Sequence, residues 1–165
     1  MSKSSRIGQV AEFADLGKKS GKKDLFKIAM CYPNTYVASI SLGANMMQTI
    51  KVLKEAEEHN GPAIIIAYCP CVEHGIKGGL SCTNSEQKLA VDCGYTLLMR
   101  YNPNEEKLYV DSKEPNFELY NEFLNNEVRY NSLKIKNKKL AEEVLEVNKN
   151  NAIKRYEYYN KIKSN

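Results

Sequence analysis

Ready-made catalytic signatures are scarce in this sequence of 165 residues. It has two histidines, His59 and His74, and no Ser/His/Asp arrangement around either. Neither G-x-G-x-x-G nor a P-loop occurs, so no dinucleotide or nucleoside-triphosphate cradle is readable. No C-x-x-C pair is present, which excludes a thioredoxin-like redox centre. No apolar run approaches the ~20 residues needed to span a bilayer, and the opening MSKSSRIGQV lacks the apolar core of a secretory signal. A cytoplasmic chain without membrane contact is the expectation. Charge of one sign is not concentrated either: 24 Lys and Arg oppose 20 Asp and Glu, for a net +4. Glu142, Glu143, Glu146 and Glu157 interrupt the Lys-rich tail, giving a solvated helix face. With no clustered basic face interleaved with aromatics, nucleic acid is not an expected partner. Five cysteines, an odd count without an export signal, imply reduced thiols and no disulfide framework.

The length suits one ordinary domain, and 42% apolar residues, 9 Gly and 5 Pro are globular values. Residues 1–24 read as loop, brief helix and loop, with an apolar island at Val10, Ala11 and Phe13. Lys27–Tyr32 reads as a first strand, stopped by Pro33-Asn34, with a short extended piece at Tyr36–Ser41. A helix follows: Asn45 with Gln48 resembles a capping box, Met46, Ile50, Leu53 and Ala56 form an apolar stripe, and Asn60-Gly61-Pro62 ends it. AIIIAYC, starting at Ala63, is an uninterrupted apolar run, the pattern of a strand covered on both faces. Burying Ile64, Ile65 and Ile66 at roughly 1.5–3 kcal/mol each rivals the ~5–15 kcal/mol net stability of a domain, so an edge position is not expected. Residues 72–83 form a glycine-rich loop, Ser85 opens a helix through Asp92, and Gly94 sits at its end. YTLLMRY (95–101) is a further strand, Asn102-Pro103-Asn104 a turn, LYVD a short extended piece, and 111–115 another turn. Two helices close the chain, one with Phe117, Tyr120, Leu124 and Val128 on a face, the other with Ala141, Leu145, Ala152, Tyr156 and Tyr159. The alternation indicates an α/β fold with parallel crossovers. It has too few strands for a complete sheet, and so reads as the second half of a doubly wound, mainly parallel domain followed by C-terminal helices.

In such sheets ligands sit at the carboxyl ends of the parallel strands. AIIIAYC delivers Cys69, Pro70 and Cys71 there, and Cys71 is the first thiol beyond the strand. It lies on a loop where Gly75, Gly78 and Gly79 permit close backbone approach. Thiolates suit iron–sulfur clusters and zinc. The spacing of Cys69, Cys71, Cys82 and Cys93 is poor for zinc. Cysteines as small buried hydrophobes remain the reading for Cys31 and Cys93, placed in a strand and on a helix. His59 reads as a solvated helix-end residue and His74 as a loop hydrogen-bonder. Periodicity and spacing stop there, at an α/β half-domain with one suggestive thiol.

Several longer blocks carry a resemblance: SGKKDLFKIAM (20–30), YVASISLGANMMQTIKVLKEAE (36–57), GPAIIIAYCPCVEHGIKGG (61–79), KLAVDCGY (88–95), RYNP (100–103), VDSKEP (110–115) and EVRYNSL (127–133). Over nearly its whole length the chain resembles the C-terminal end of pyruvate:ferredoxin (flavodoxin) oxidoreductases, where their thiamine-diphosphate-binding domain is completed. The resemblance implies residues 1–115 as the second half of that domain and 116–165 as a helical extension. It implies an enzyme of anaerobic metabolism that oxidatively decarboxylates pyruvate and acetylates coenzyme A. Electrons then pass through 4Fe–4S clusters to ferredoxin or flavodoxin, in a homodimer. One cluster has three cysteines far upstream and a fourth in a YAPC pattern after the apolar strand; Cys71 matches that fourth position, as cofactor-binding and metal residue. Cys69 stands where the family usually has alanine. The family's thiamine and Mg²⁺ motif is expected just before residue 1, so no catalytic residue is assigned here. Residues 2–8, SKSSRIG, depart from the usual S-T-P-T-G ending at Ser5-Arg6-Ile7, and no cofactor contact is assigned to them. The isolated chain is expected to be inactive, and prone to self-association through apolar surface that the first half of the sheet would cover. The other classes open at this point are a stand-alone thiol or metal module using Cys69, Cys71 and Cys82, and an interaction module.

Overall fold

The computed structural model describes residues 5–11 and 14–164. Phe13 of the apolar island and residues 2–4 of SKSSRIG lie outside the described residues. The described residues of 5–11 and 14–24 form turns and one isolated bridge between Ala11 and Ala14.

The first regular element is a helix where a strand was expected. Asp24 accepts from the Lys27 amide at 3.2 Å and caps α1, Leu25–Ala29, a single turn that buries Phe26 and Ala29. A run of six residues with mixed apolar content fits either period, and the cap decides for the helix. Cys31 consequently lies exposed beyond α1, its thiol directed at the Lys27 carbonyl (3.4 Å), instead of inside a strand.

The stretch read as a short extended piece is the centre of the sheet. β1, Tyr36–Ile40, is buried at every position. It leads into α2, Met46–Glu58, which Asn45 caps by accepting from the Gln48 amide at 2.9 Å. α2 returns the chain to β2, Ala63–Ala67, parallel to β1 with Tyr36 opposite Ala63. A 3₁₀ turn at Leu80–Cys82 precedes α3, Thr83–Asp92, which starts two residues before Ser85; the Ser85 hydroxyl donates back to the Cys82 carbonyl (2.8 Å) and caps nothing. β3, Met99–Asn102, is antiparallel to β1, and β4, Lys107–Val110, is antiparallel to β3. The α/β class is as expected. Among the described residues the sheet is mixed, in the order β2-β1-β3-β4 with one parallel pair.

That order corrects the placement of the isoleucines. β2 is an edge strand, and Ile64, Ile65 and Ile66 are half-buried instead of covered on both sides. Ile64 and Ile66 pack toward Phe26, Val37 and Leu97, and Ile65 toward Ala38 and Val52. Three of the four stripe residues expected to bury α2 are likewise turned outward, while the fourth, Ala56, packs against the core around Val52. Gln48, Thr49 and Val52 face the sheet, whereas Met46, Ile50 and Leu53 are exposed, as is Met47 at 73%. Polar anchoring explains the rotation. Gln48 donates to Ser39 O (3.3 Å) and Asp111 Oδ2 (3.1 Å). The buried Arg100 guanidinium bridges Glu55 of α2 (2.8 Å) and Asp111 (2.7 Å), and these charge-assisted bonds outweigh the apolar period.

Three helices close the chain where two were expected: α4, Tyr120–Asn126, α5, Val128–Lys136, and α6, Lys138–Ile162. α6 buries Ala141, Ala152 and Tyr159, as its period indicated. Val128, assigned to the α4 face, lies beyond the break and is largely exposed. The break falls at Glu127, whose backbone is extended (φ −81°, ψ 110°) and whose side chain is fully buried.

Candidate functional site

Tyr68, the first residue past β2, donates its amide to Ile40 O (2.9 Å) and its hydroxyl to Glu127 Oε1 (3.1 Å). Its ring meets Tyr95 and Phe123 edge-on. The chain therefore leaves the sheet in a fixed direction. Cys69 is exposed, Pro70 is buried, and Cys71 is half-buried at the start of the glycine-rich loop. The loop folds on itself: the Gly75 amide donates to Cys71 O (2.9 Å), with Gly75 at φ +80°, where a side chain would be strained. Ile76 is buried and pairs with Glu127 in an isolated antiparallel bridge. On either side, Lys77 N donates to Asn126 O (2.8 Å) and Val128 N to Gly75 O (3.3 Å). The α4–α5 break is thus the far anchor of the loop that begins at Cys71.

His74 Nδ1 lies 3.1 Å from Cys71 Sγ, within hydrogen-bond reach of the sulfur. Cys82 is half-buried with its thiol toward Gly78 O (3.4 Å). Cys93 is fully buried, and burial pushes its thiol up to about 12, the behaviour of an inert core residue. His59 ends α2 and contacts Asn34 O at 3.0 Å.

The clamp that holds the loop was not read as a site from sequence. Glu127, Tyr68 and Arg129 come together at the break. Arg129 Nε is 2.9 Å from Glu127 Oε2, an ion pair by distance though not aligned as a hydrogen bond. The signal lay inside EVRYNSL: a Glu-x-Arg pair at a helix start looks like surface charge until the burial of Glu127 is known.

Among the described residues no group of three or more His, Cys, Asp or Glu is placed to hold a metal ion. A 4Fe–4S cluster takes four thiolates. Cys71, accessible and on a loop held at both ends, fits as one contributed ligand and not as part of a complete local set.

No protein-family model matches the chain. Individual proteins do. It is 40% identical over 166 residues to a pyruvate-flavodoxin oxidoreductase of Klebsiella pneumoniae, covering 98% of this chain and 14% of that protein. It is 41% identical over 166 residues to the pyruvate:ferredoxin oxidoreductase of Moorella thermoacetica, with the same coverage. A mitochondrial pyruvate dehydrogenase [NADP(+)] of Euglena gracilis is 37% identical over 166 residues, of which the chain covers 9%. The chain therefore spans about one-seventh of the oxidoreductases it matches, at 14% of their length. On that similarity, across almost every one of its own residues, this chain belongs to the pyruvate:ferredoxin (flavodoxin) oxidoreductase family.

Proposed function

We propose that the chain acts within a larger 2-oxoacid oxidoreductase, where Cys71 supplies one ligand of a 4Fe–4S cluster. The whole protein decarboxylates pyruvate oxidatively, forms acetyl-coenzyme A and passes electrons to ferredoxin or flavodoxin. Residues 1–115 complete its thiamine-diphosphate-binding domain, and residues 116–165 are a helical extension beside it. The observation that carries this reading is the position of Cys71: half-buried, at the carboxyl end of the parallel pair, on a loop tied to the α4–α5 break. Thiamine diphosphate and Mg²⁺ are assigned to other parts of the whole protein.

The cluster supplies one-electron transfer. This chain's own task is narrower. The Tyr68–Glu127 bond and the Ile76–Glu127 bridge hold the sulfur's approach to a single direction. A ligating cysteine must lose its proton, and His74 Nδ1, at 3.1 Å, is the acceptor within reach. Three further sulfurs come from elsewhere in the protein, so the chain alone neither builds this cluster nor turns over pyruvate.

The test uses the complete protein. Cys71→Ala is expected to remove the electron paramagnetic resonance signal of one cluster and to lower the iron content, whereas Cys69→Ala leaves both intact. An unchanged spectrum in Cys71→Ala refutes the assignment. The 165-residue chain, given thiamine diphosphate, Mg²⁺, pyruvate and coenzyme A, is expected to release no carbon dioxide. A cluster that assembles on this chain alone under anaerobic iron reconstitution would instead favour a stand-alone thiol or metal module.

A further inference from the structure

Two adjoining cavities of about 330 and 360 Å³ open beside the end of β2, sharing Arg6, Lys22, Ile66 and Thr96 in their walls. Among the described residues five cations line them, Arg6, Lys22, Lys23, Arg129 and Arg155, against one carboxylate, Asp24. Asp24 is already engaged, accepting from the Tyr159 hydroxyl at 2.7 Å and capping α1 through the Lys27 amide. Glu127, outside the walls, neutralises Arg129. Among the described residues no carboxylate forms an ion pair with Arg6, Lys22, Lys23 or Arg155. Arg6 is 8% exposed; it donates Nη2 to Tyr95 O, lays its guanidinium 4.0 Å from the Tyr95 ring centre, and leaves Nε buried without a partner. Arg155 donates Nη2 to Gly94 O (3.1 Å) and Tyr95 O (2.7 Å), and its Nε is also buried and unpartnered. Lys22 has no ion pair among the described residues.

Like charges gathered in a partly desolvated cleft are costly unless an anion joins them. Two of the cations follow that rule, whereas Arg6 and Arg129 are raised, because desolvation, which lowers them, is outweighed by neighbouring tyrosines, Tyr95 foremost. Lys22, an exposed residue, falls to about 8, through desolvation first and then the fields of Arg6, Arg155 and Arg129. Arg155 falls to about 10 through burial and then Arg6. Guanidinium and ammonium groups lining a cleft, as those of Arg6, Arg155 and Lys22 do, are donors suited to oxyanions. The surplus of positive charge favours a group carrying two or more negative charges over a single carboxylate.

We propose that this cleft is a binding site for a multiply charged oxyanion of the phosphate class, held by Arg6, Lys22 and Arg155. The site is distinct from Cys71 and stands whether or not Cys71 ligates iron, because it rests on the lining of the two cavities and their charge among the described residues. Arg6, in the segment that departs from the resembled family, supplies a central donor. Each cavity is large enough for a phosphate group with part of an attached organic ligand.

Isothermal titration of the 165-residue chain with pyrophosphate, at ionic strength held constant with chloride, is the test. Saturable binding at one site is expected. Lys22→Gln, at an exposed position that folding does not require, should weaken it about tenfold or more, as should Arg155→Gln. Lys51→Gln, on the exposed side of α2, should leave it unchanged. Absence of saturable binding overturns the proposal, as it would if an acidic segment of a longer polypeptide occupied the cleft. Equal weakening by Lys51→Gln would mark the binding as non-specific, and malonate binding as tightly as pyrophosphate would remove the phosphate assignment.

Discussion

Glu86 is a carboxylate held in an environment that disfavours its charge. It is buried; Asn126 donates to Oε2 at 3.1 Å while Oε1 has no partner. Its pKa rises from 4.5 to about 7: desolvation is the main cause, the Asn126 bond opposes it, and the nearby charges of Glu127 and Glu122 add to it. In the unfolded chain the group loses its proton near 4.5. Its contribution is therefore most favourable below that pH and is lost as pH climbs through about 7. Glu86→Gln should raise the melting temperature at pH 8, by roughly 1–3 kcal/mol of stability, and flatten the stability profile between pH 5 and 7; an unchanged profile would show that Glu86 is not the group responsible. Glu127 is ion-paired with Arg129. Glu127→Ala strands a largely buried Arg129 and should cost about 3–5 kcal/mol. It also frees the loop anchor, so amide exchange at Gly75–Gly79 should accelerate beyond the global change. Neither carboxylate could be told from surface charge in the sequence, since burial follows from how α3, α4 and α5 pack.

At the scale of elements, local chemistry was legible wherever it is self-contained. The Asn45 cap on α2, the positive φ (+76°) of Gly94 after α3 and the period of α6 all appear as the residues indicate. Asn45→Ala should lower stability by about 0.5–2 kcal/mol, measured as a shift in the urea midpoint without a change of slope. What misled was apolar content without partners in view. AIIIA reads as a doubly covered strand yet lies at a sheet edge, and the Met46–Ile50–Leu53 stripe faces outward because Gln48, Glu55 and Arg100 fix the rotation of α2. Lys27–Tyr32 reads as a strand, yet its first half belongs to the helical turn at 25–29, because the deciding signal is one capping side chain, Asp24.

For the molecule as a whole, these mismatches share a location. The free edge of β2 and the outer face of α2 carry apolar surface that a stable monomer normally covers. Self-association of the 165-residue chain follows as an expected outcome. Light scattering should report a dimer or larger species, and Met47→Glu with Leu53→Lys should shift it toward monomer. A monodisperse monomer of the unsubstituted chain would contradict the half-domain reading.

The sequence alone determined the α/β class, the order of most elements, the family and the candidate thiol at position 71, because caps, glycines and long similar blocks act over a few residues or by direct comparison. Only the tertiary structure decided which strand is central, which helix faces are covered, how Glu127 anchors the loop and where Arg6, Lys22 and Arg155 converge. Those outcomes depend on contacts between residues tens of positions apart, with energies set by the burial of each group and by the charge brought beside it.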